Sequence, residues 1–375
     1  MKSLFWRRDP YDLEHTELLF FQKVITNIIF QFDNCTSYRH LLISRGFTRE
    51  KLLAVSSLAE LPFIPTLYFK HHCMISVPER RLLIKATSSG TSGNKSVVGL
   101  DFQTLLAGLG MVLAVGRKHK LLSAVPCHYI VLGYEYNRHA SMAVAKTAYG
   151  YTWFAPALSR TYALTYKNGN YALNLEHVKQ RLICLSRQSF PVRIMGFPFH
   201  AYWLLSQMKE EGIQLKMPKR SLIAFGGGWK QHALKKVDKE TMYQLIDEVL
   251  GIKEENCLEF FGAVEHPILY CACSKHHFHV PIYSRVIIRD VDTLKPVPDG
   301  TPGLVNLITP MVHSVPLVSI MTDDLGILHH NCGCGIQSPY LELLGRVGME
   351  DITTCAAGAE SLMKTILEGD MHDSF

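Results

Sequence analysis

Apolar residues at Leu18, Leu19, Val24, Ile25, Ile28 and Ile29 recur at helical spacing and predict an amphipathic helix early in the chain. Residues 1–80 read as mainly helical, until Pro62-Phe63-Ile64-Pro65 breaks the pattern and turns the backbone extended. From about residue 83 short apolar runs alternate with helical windows. The runs 82–84, 129–132, 193–195, 222–225 and 257–261 predict buried strands, and 175–186, 201–211 and 239–250 predict helices between them. Such alternation implies an α/β fold with a largely parallel sheet. Beyond Pro281 the texture changes to strands and turns, with Val286-Ile287-Ile288, the turn 298–303 and Val305–Ile308. These predict an appended antiparallel β unit. The expected organisation is a core over 1–345, made of a helical part (1–80), an α/β part (81–280) and a β-rich part (281–345). Residues 346–375, small and polar, read as a short mobile segment.

Composition narrows the class. Hydrophobic residues make up 47% and charged residues 19% of the 375, which suits a globular chain with a sizeable core and not a disordered one. The net charge of +6 helps to collect anionic substrates such as nucleotides. There is no dense Lys/Arg tract and no aromatic-basic motif, so nucleic acid is not the expected partner. The N-terminus lacks the apolar stretch of a secretory signal, and the longest apolar run, 105–116, is too short to span a bilayer. Ten cysteines in such a chain read as thiols, metal ligands or a nucleophile in a reducing cytoplasm rather than as disulfides.

Five segments carry chemistry. Thr87-Ser88-Ser89-Gly90-Thr91-Ser92-Gly93-Asn94-Lys95 follows a strand-like run and combines hydroxyls, glycines and a lysine. Glycine lets the backbone approach a phosphate, hydroxyls and amides donate to it, and Lys95 adds a point charge; by itself the segment is equally a polar turn. Glu265, in Phe260-Phe261-Gly262-Ala263-Val264-Glu265-His266, sits after a predicted strand, where a carboxylate can hold Mg²⁺ against phosphate oxygens or simply be solvated. Met321-Thr322-Asp323-Asp324-Leu325-Gly326 and Leu344-Gly345-Arg346 offer an acid for ribose hydroxyls and an arginine to support it. Cys271, Cys273, His276, His277, His279, Cys332 and Cys334 are the soft ligands of a closed tetrahedral zinc site, and no sequence rule picks four of the seven. Cys355 lies among small residues near the end, where a thiolate could attack an activated carbonyl.

The order of these segments, together with Gly300-Thr301-Pro302-Gly303-Leu304-Val305, resembles the adenylate-forming superfamily over about residues 83–350. Within it the cysteine pattern is similar to the phenylacetate-CoA ligase branch, and the whole resembles the bacterial acyl-protein synthetases of luminescence systems. The resemblance implies the large-domain fold of that superfamily with a truncated C-terminal region, since only residues 347–375 follow Arg346. It implies that Ser88, Ser89, Gly90, Thr91, Ser92, Gly93 and Lys95 wrap the ATP phosphates and that Gly226, Gly227 and Gly228 lie against the adenine. Glu265 would bind Mg²⁺, Asp324 rather than Asp323 the ribose, and Arg346 would partner Asp324. The zinc ligands would be Cys273, His279, Cys332 and Cys334, and Cys355 the acyl-accepting thiol.

The expected activity is ATP-dependent conversion of a carboxylic acid, a fatty acid by the resemblance, to an acyl-adenylate, followed by transfer to a protein thiol. Pro126–Tyr136 and Gly196–His200 are candidates for the acyl pocket, with His128 a candidate beside the carboxylate. An acyl-CoA reductase or acyl-carrier protein is the expected partner. The alternatives are a CoA ligase of the phenylacetate type and a zinc-stabilised binding protein that has lost the chemistry.

Overall fold

The structure, a computed structural model, describes residues 4–87, 97–137, 143–167, 170–227 and 237–346. The chain divides into two compact units, one built from 1–115 with the chain from 262 onward, the other from 116–261.

The first unit opens with α1 (Glu17–Asn34), α2 (Thr36–Ser44), α3 (Arg49–Ala54) and α4 (Tyr68–His71), the last preceded by the short strand β1 (Ile64–Pro65). Helix α1 buries Phe20, Val24, Asn27, Ile28, Gln31 and Phe32, a face of helical period, and leaves Leu18 exposed. The Asn27 and Gln31 amides on that face donate to the carbonyls of Val312 (2.9 Å) and His313 (3.0 Å), which satisfies two buried side chains and fixes the helix to a distant segment. Next come β2 (Leu82–Thr87), β3 (Val97–Asp101) and α5 (Phe102–Lys118), whose N-terminus is capped by Asp101 accepting from the Thr104 amide at 2.9 Å.

The expectation of a buried strand at 82–84 is corrected here. Strands β2 and β3 form a two-stranded antiparallel ribbon, with Leu83 exposed. Three consecutive apolar residues read as buried on both faces, but among the described residues this run pairs only with its hairpin partner, and Leu83 faces outward.

Unit 116–261 contains β4 (Cys127–Tyr134), α6 (Ala143–Tyr151), β5 (Ala157–Lys167), β6 (Asn170–Leu173), α7 (Leu175–Ser186), β7 (Val192–Gly196), α8 (Pro198–Glu210), β8 (Leu222–Gly226), α9 (Lys239–Leu250) and most of β9 (Cys257–Ala263). Its sheet runs β9-β8-β7-β4-β5-β6, parallel throughout except where β6 returns antiparallel on β5. The expected α/β architecture with crossover helices is therefore present. Ile130, Ile194 and Ile223 of the central strands pack with Leu182, Leu205, Ile246 and other residues of α7, α8 and α9 in one apolar cluster. At roughly 25 cal/mol per Å² of apolar surface removed from water, such a cluster is the main stabilising term of the unit.

The first unit resumes with β10 (His266–Cys271), β11 (Phe278–His279), β12 (Arg285–Arg289), β13 (Gly303–Ile308), β14 (Ser319–His329) and β15 (Tyr340–Arg346). These last five strands form the expected antiparallel sheet, in the order β11-β15-β14-β13-β12, with β1 added in parallel beside the start of β14. Glycine is required at 326: a Cβ there would meet the Glu342 carbonyl oxygen at 2.7 Å, at the register shift between Leu325 and Gly326. Among the described residues no helix is long and apolar enough to cross a membrane.

Candidate functional site

Two of the expected site residues, Asp324 and Arg346, pair directly in the first unit, and a third, Glu265, lies within electrostatic reach of the arginine. Strands β14 and β15 pair with Asp324 directly opposite Arg346, so that 22 residues of sequence separation become a single cross-strand contact. The Arg346 Nε donates to Asp324 Oδ1 at 2.9 Å, whereas its NH1 lies 3.9 Å from Asp323 Oδ2, so Asp324 is the closely paired acid. Burial pushes the Asp324 carboxyl above the usual carboxylate range, against the pull of Arg346. The charge of Asp324, followed by those of Asp323 and Glu265, holds the Arg346 guanidinium up against its own desolvation.

Glu265 occupies the two-residue turn between β9 and β10 and is buried, at 7% exposure. It is thus a buried carboxylate on a turn, within electrostatic reach of the Arg346 guanidinium. The next residue, His266, was not among the sequence candidates. It is fully buried, its Nε2 is 2.9 Å from the Ser284 hydroxyl, and burial pushes it down to about 3. Its adjacency to Glu265 was the only sequence signal available.

The ribbon β2–β3 ends with Thr87 opposite Val97, so both ends of the expected phosphate loop are side by side. Ser88, Ser89, Gly90, Thr91, Ser92, Gly93 and Lys95 themselves lie outside the described residues, as do Gly228 and Cys355. In unit 116–261, Gly226 closes β8 and Gly227 follows with φ +81°, a conformation that favours glycine and leaves the backbone bare at the carboxyl end of the parallel sheet. At the same edge Tyr134 from β4 meets Tyr171 (5.0 Å) and Phe197 (6.3 Å), and His200 Nδ1 donates to the Leu132 carbonyl at 3.2 Å. The two stretches named as pocket candidates thus share an aromatic rim. His128 does not join them. It lies at the amino end of β4, with Nδ1 2.8 Å from the Ser159 hydroxyl, because the strand carries its first and last residues to opposite edges of the sheet.

Within the cysteine–histidine cluster four residues group together, and His277 Nδ1 lies 3.1 Å from the Cys332 sulfur. One ligand atom each from Cys273, His279, Cys332 and Cys334 falls within 4.8 Å of all the others. Zinc–sulfur bonds of about 2.3 Å place tetrahedral sulfurs roughly 3.8 Å apart. Here Cys273 and Cys332 sulfurs are 3.6 Å apart, and His279 Nε2 is 3.2 Å from the Cys334 sulfur. His279 Nδ1 donates to the Ser338 carbonyl at 2.7 Å, which leaves Nε2 with its lone pair towards the cluster. The amides of Lys275 and Ile336 point at the sulfurs of Cys273 and Cys334, at 3.4 and 3.5 Å, and favour thiolates there. The four therefore fit a closed tetrahedral site for a soft divalent cation. Cys271, although buried two residues from Cys273, is not in the set, and its sulfur contacts the Ala272 carbonyl instead.

A family model described as "Acyl-protein synthetase, LuxE" matches residues 2–364. The long-chain-fatty-acid–luciferin-component ligase of Aliivibrio fischeri is 26% identical over 306 residues, covering 80% of this chain and 76% of its own length. A phenylacetate-coenzyme A ligase of Thermus thermophilus is 23% identical over 322 residues, covering 82% of this chain and 65% of the relative. Among solved structures, a 2-hydroxyisobutyryl-CoA ligase in complex with 2-HIB-AMP superposes with a TM-score of 0.67 at 15% identity, covering 92% of this chain and 71% of that one. At that identity the likeness shows the fold, which is that of the adenylate-forming enzymes.

Proposed function

The chain belongs to the acyl-protein synthetase family, and from that premise we propose that it joins a fatty acid to a protein thiol through an acyl-adenylate. The observation that carries this reading is the convergence of Glu265, Asp324 and Arg346. In the first step the substrate carboxylate attacks the α-phosphate of ATP in line, and pyrophosphate leaves. Lys95 and the amides of 88–95 are the groups proposed to steady the phosphates. Asp324, held by Arg346, accepts the ribose hydroxyls, and Gly226-Gly227-Gly228 bear on the adenine. Glu265 would hold the Mg²⁺ that accompanies ATP and offsets the charge that develops on the phosphates.

In the second step a thiolate attacks the acyl carbonyl. The new carbon–sulfur bond forms as the bond to AMP breaks, and AMP departs as the anion. Cys355 is the proposed acceptor. An acyl-CoA reductase or an acyl-carrier protein is the partner that would take the acyl group onward, and a cytoplasmic setting suits a chain rich in free thiols. Cys273, His279, Cys332 and Cys334 are proposed to hold a structural zinc ion. The second reading, transfer to CoA, is favoured by the likeness to two CoA ligases.

The test is ATP–pyrophosphate exchange dependent on added acid, run across fatty, aryl and amino acids. Exchange with a fatty acid, abolished in a Glu265→Ala protein of unchanged melting temperature, is the expected result; no exchange with any acid would overturn the reading. For the second step, radiolabelled acid with ATP should label the protein itself, and the label should vanish in Cys355→Ser. Label that moves to added CoA while Cys355→Ser stays fully active would favour the CoA ligase.

A further inference from the structure

His266, Tyr270 and Ser284 form a fully buried polar cluster that the proposed chemistry does not use. The Tyr270 hydroxyl donates to Ser284 Oγ at 2.7 Å, and Ser284 Oγ lies 3.2 Å from the Ile308 carbonyl, to which it can donate. With that hydroxyl proton on the Ile308 carbonyl, the remaining lone pair of Ser284 is free to accept from His266 Nε2, 2.9 Å away, in the tautomer that protonates Nε2. The opposite ring nitrogen, Nδ1, is buried with no hydrogen-bond partner among the described residues. Burying such an atom unsatisfied is unfavourable, and an apolar side chain of similar shape would carry no such atom. Filling space is therefore a poor account of a histidine here, and what the ring supplies that an apolar residue cannot is direction.

The ends of the cluster show what it directs. His266 is the first residue of β10 and follows Glu265 in the chain. Ser284 immediately precedes β12, and Ile308 ends β13, the strand that pairs with β14 and so with the Asp324–Arg346 pair. The turn that carries Glu265 has two residues, and neither has the positive φ that matches a two-residue hairpin to the twist of its strands. Its aim must be held by something other than its own backbone preference.

We propose that His266 is a positioning residue, which through Ser284 fixes the Glu265 turn to the sheet carrying Asp324 and Arg346 and so sets the carboxylate for a divalent cation bound with the nucleotide. This rests on Glu265 acting as proposed above. Partners that orient a metal-binding carboxylate typically contribute 10–100-fold in metal affinity, which sets the expected size of effect at about that range.

The experiment measures acid-dependent ATP–pyrophosphate exchange against free Mg²⁺ at saturating ATP, for the full chain carrying His266→Phe, His266→Gln or Ser284→Ala. Beside it, the binding of Mn²⁺ to the same proteins in the presence of a non-hydrolysable ATP analogue is followed by electron paramagnetic resonance without turnover; the two half-saturation points should shift together. His266→Phe keeps the volume and loses the hydrogen bond, and should raise half-saturating Mg²⁺ about 10–100-fold while the rate at saturation changes by less than about threefold. His266→Gln, whose amide can reach the Ser284 hydroxyl, should recover most of that shift, and Ser284→Ala should move in the direction of His266→Phe. A folded His266→Phe protein with the wild-type Mg²⁺ dependence overturns the proposal. So does glutamine no better than phenylalanine. If His266→Phe fails to fold, the folded Ser284→Ala protein decides: a shifted Mg²⁺ curve supports the proposal and an unshifted one overturns it. Loss of exchange in Glu265→Ala beside a normal His266→Phe sinks this proposal alone, whereas no exchange in the wild type sinks the reading it rests on.

Discussion

Asp324 and Arg346 face each other across two strands, and each alters what the other can do. Burial raises the Asp324 carboxyl while the guanidinium opposes the rise. An aspartate with a raised folded pKa binds its proton more tightly in the folded than in the unfolded chain. Its ionised form therefore costs stability above that pKa, and the cost is relieved as pH falls through it. The form proposed to accept ribose hydroxyls is the ionised one. Acidification should accordingly weaken ATP binding from a higher pH than an ordinary aspartate would give, without weakening the fold through this group. Asp324→Asn should raise the KM for ATP by about 10–100-fold, the worth of a hydrogen bond to a charged group. It should also flatten the acid limb of a plot of log KM against pH. An unchanged acid limb would remove Asp324 from nucleotide binding. The residues alone mark both aspartates at 323–324; the resemblance points to Asp324, and the strand register sets that residue opposite Arg346.

At the scale of elements, the hairpin β14–β15 carries the Asp324–Arg346 pair at one end and leads into Cys332 and Cys334 at its turn. Strand β11, paired to β15, brings His279 to the same turn. A metal there would add a cross-link to segments already joined through β15. Thiol modification of the purified protein should release about one zinc per chain to a chromogenic chelator. Cys334→Ser should be purified with little zinc and a lower melting temperature; wild-type metal content and melting in that variant would show the sulfur is not a ligand. Elements buried on both faces were legible from their apolar runs, as β4, β7 and β8 show. The ribbon β2–β3 was misjudged because composition does not reveal which strand a strand will pair with. Seven soft ligands were visible in the chain and the resemblance pointed to the four that the fold groups, but the contact that turns the His279 ring, to the Ser338 carbonyl, spans 59 residues and no spacing reports it.

At the scale of the whole molecule, the chain leaves one unit at 115, completes another by 261 and returns. The apolar cluster around Ile130, Ile194 and Ile223 draws every member from the second unit. Residues 116–261 expressed alone should therefore unfold in urea as one cooperative transition followed by circular dichroism; a gradual loss of signal would show that this core depends on the rest of the chain. Motif order along the chain revealed the family and the fold, but not this interleaving. Contacts such as Asn27 to the Val312 carbonyl join residues too far apart for any periodicity to report. The β14–β15 ladder also governs how such a chain can diverge. One residue gained or lost within 324–329 or 340–346 would turn a strand over and carry Asp324 or Arg346 to the opposite face. With the proposed zinc site the connecting segment is no freer, because Cys332 and Cys334 would still have to reach His279. Functional descendants can change side chains along this hairpin but must keep its length, so a gap here in an aligned relative would mark lost activity more sharply than any drop in identity.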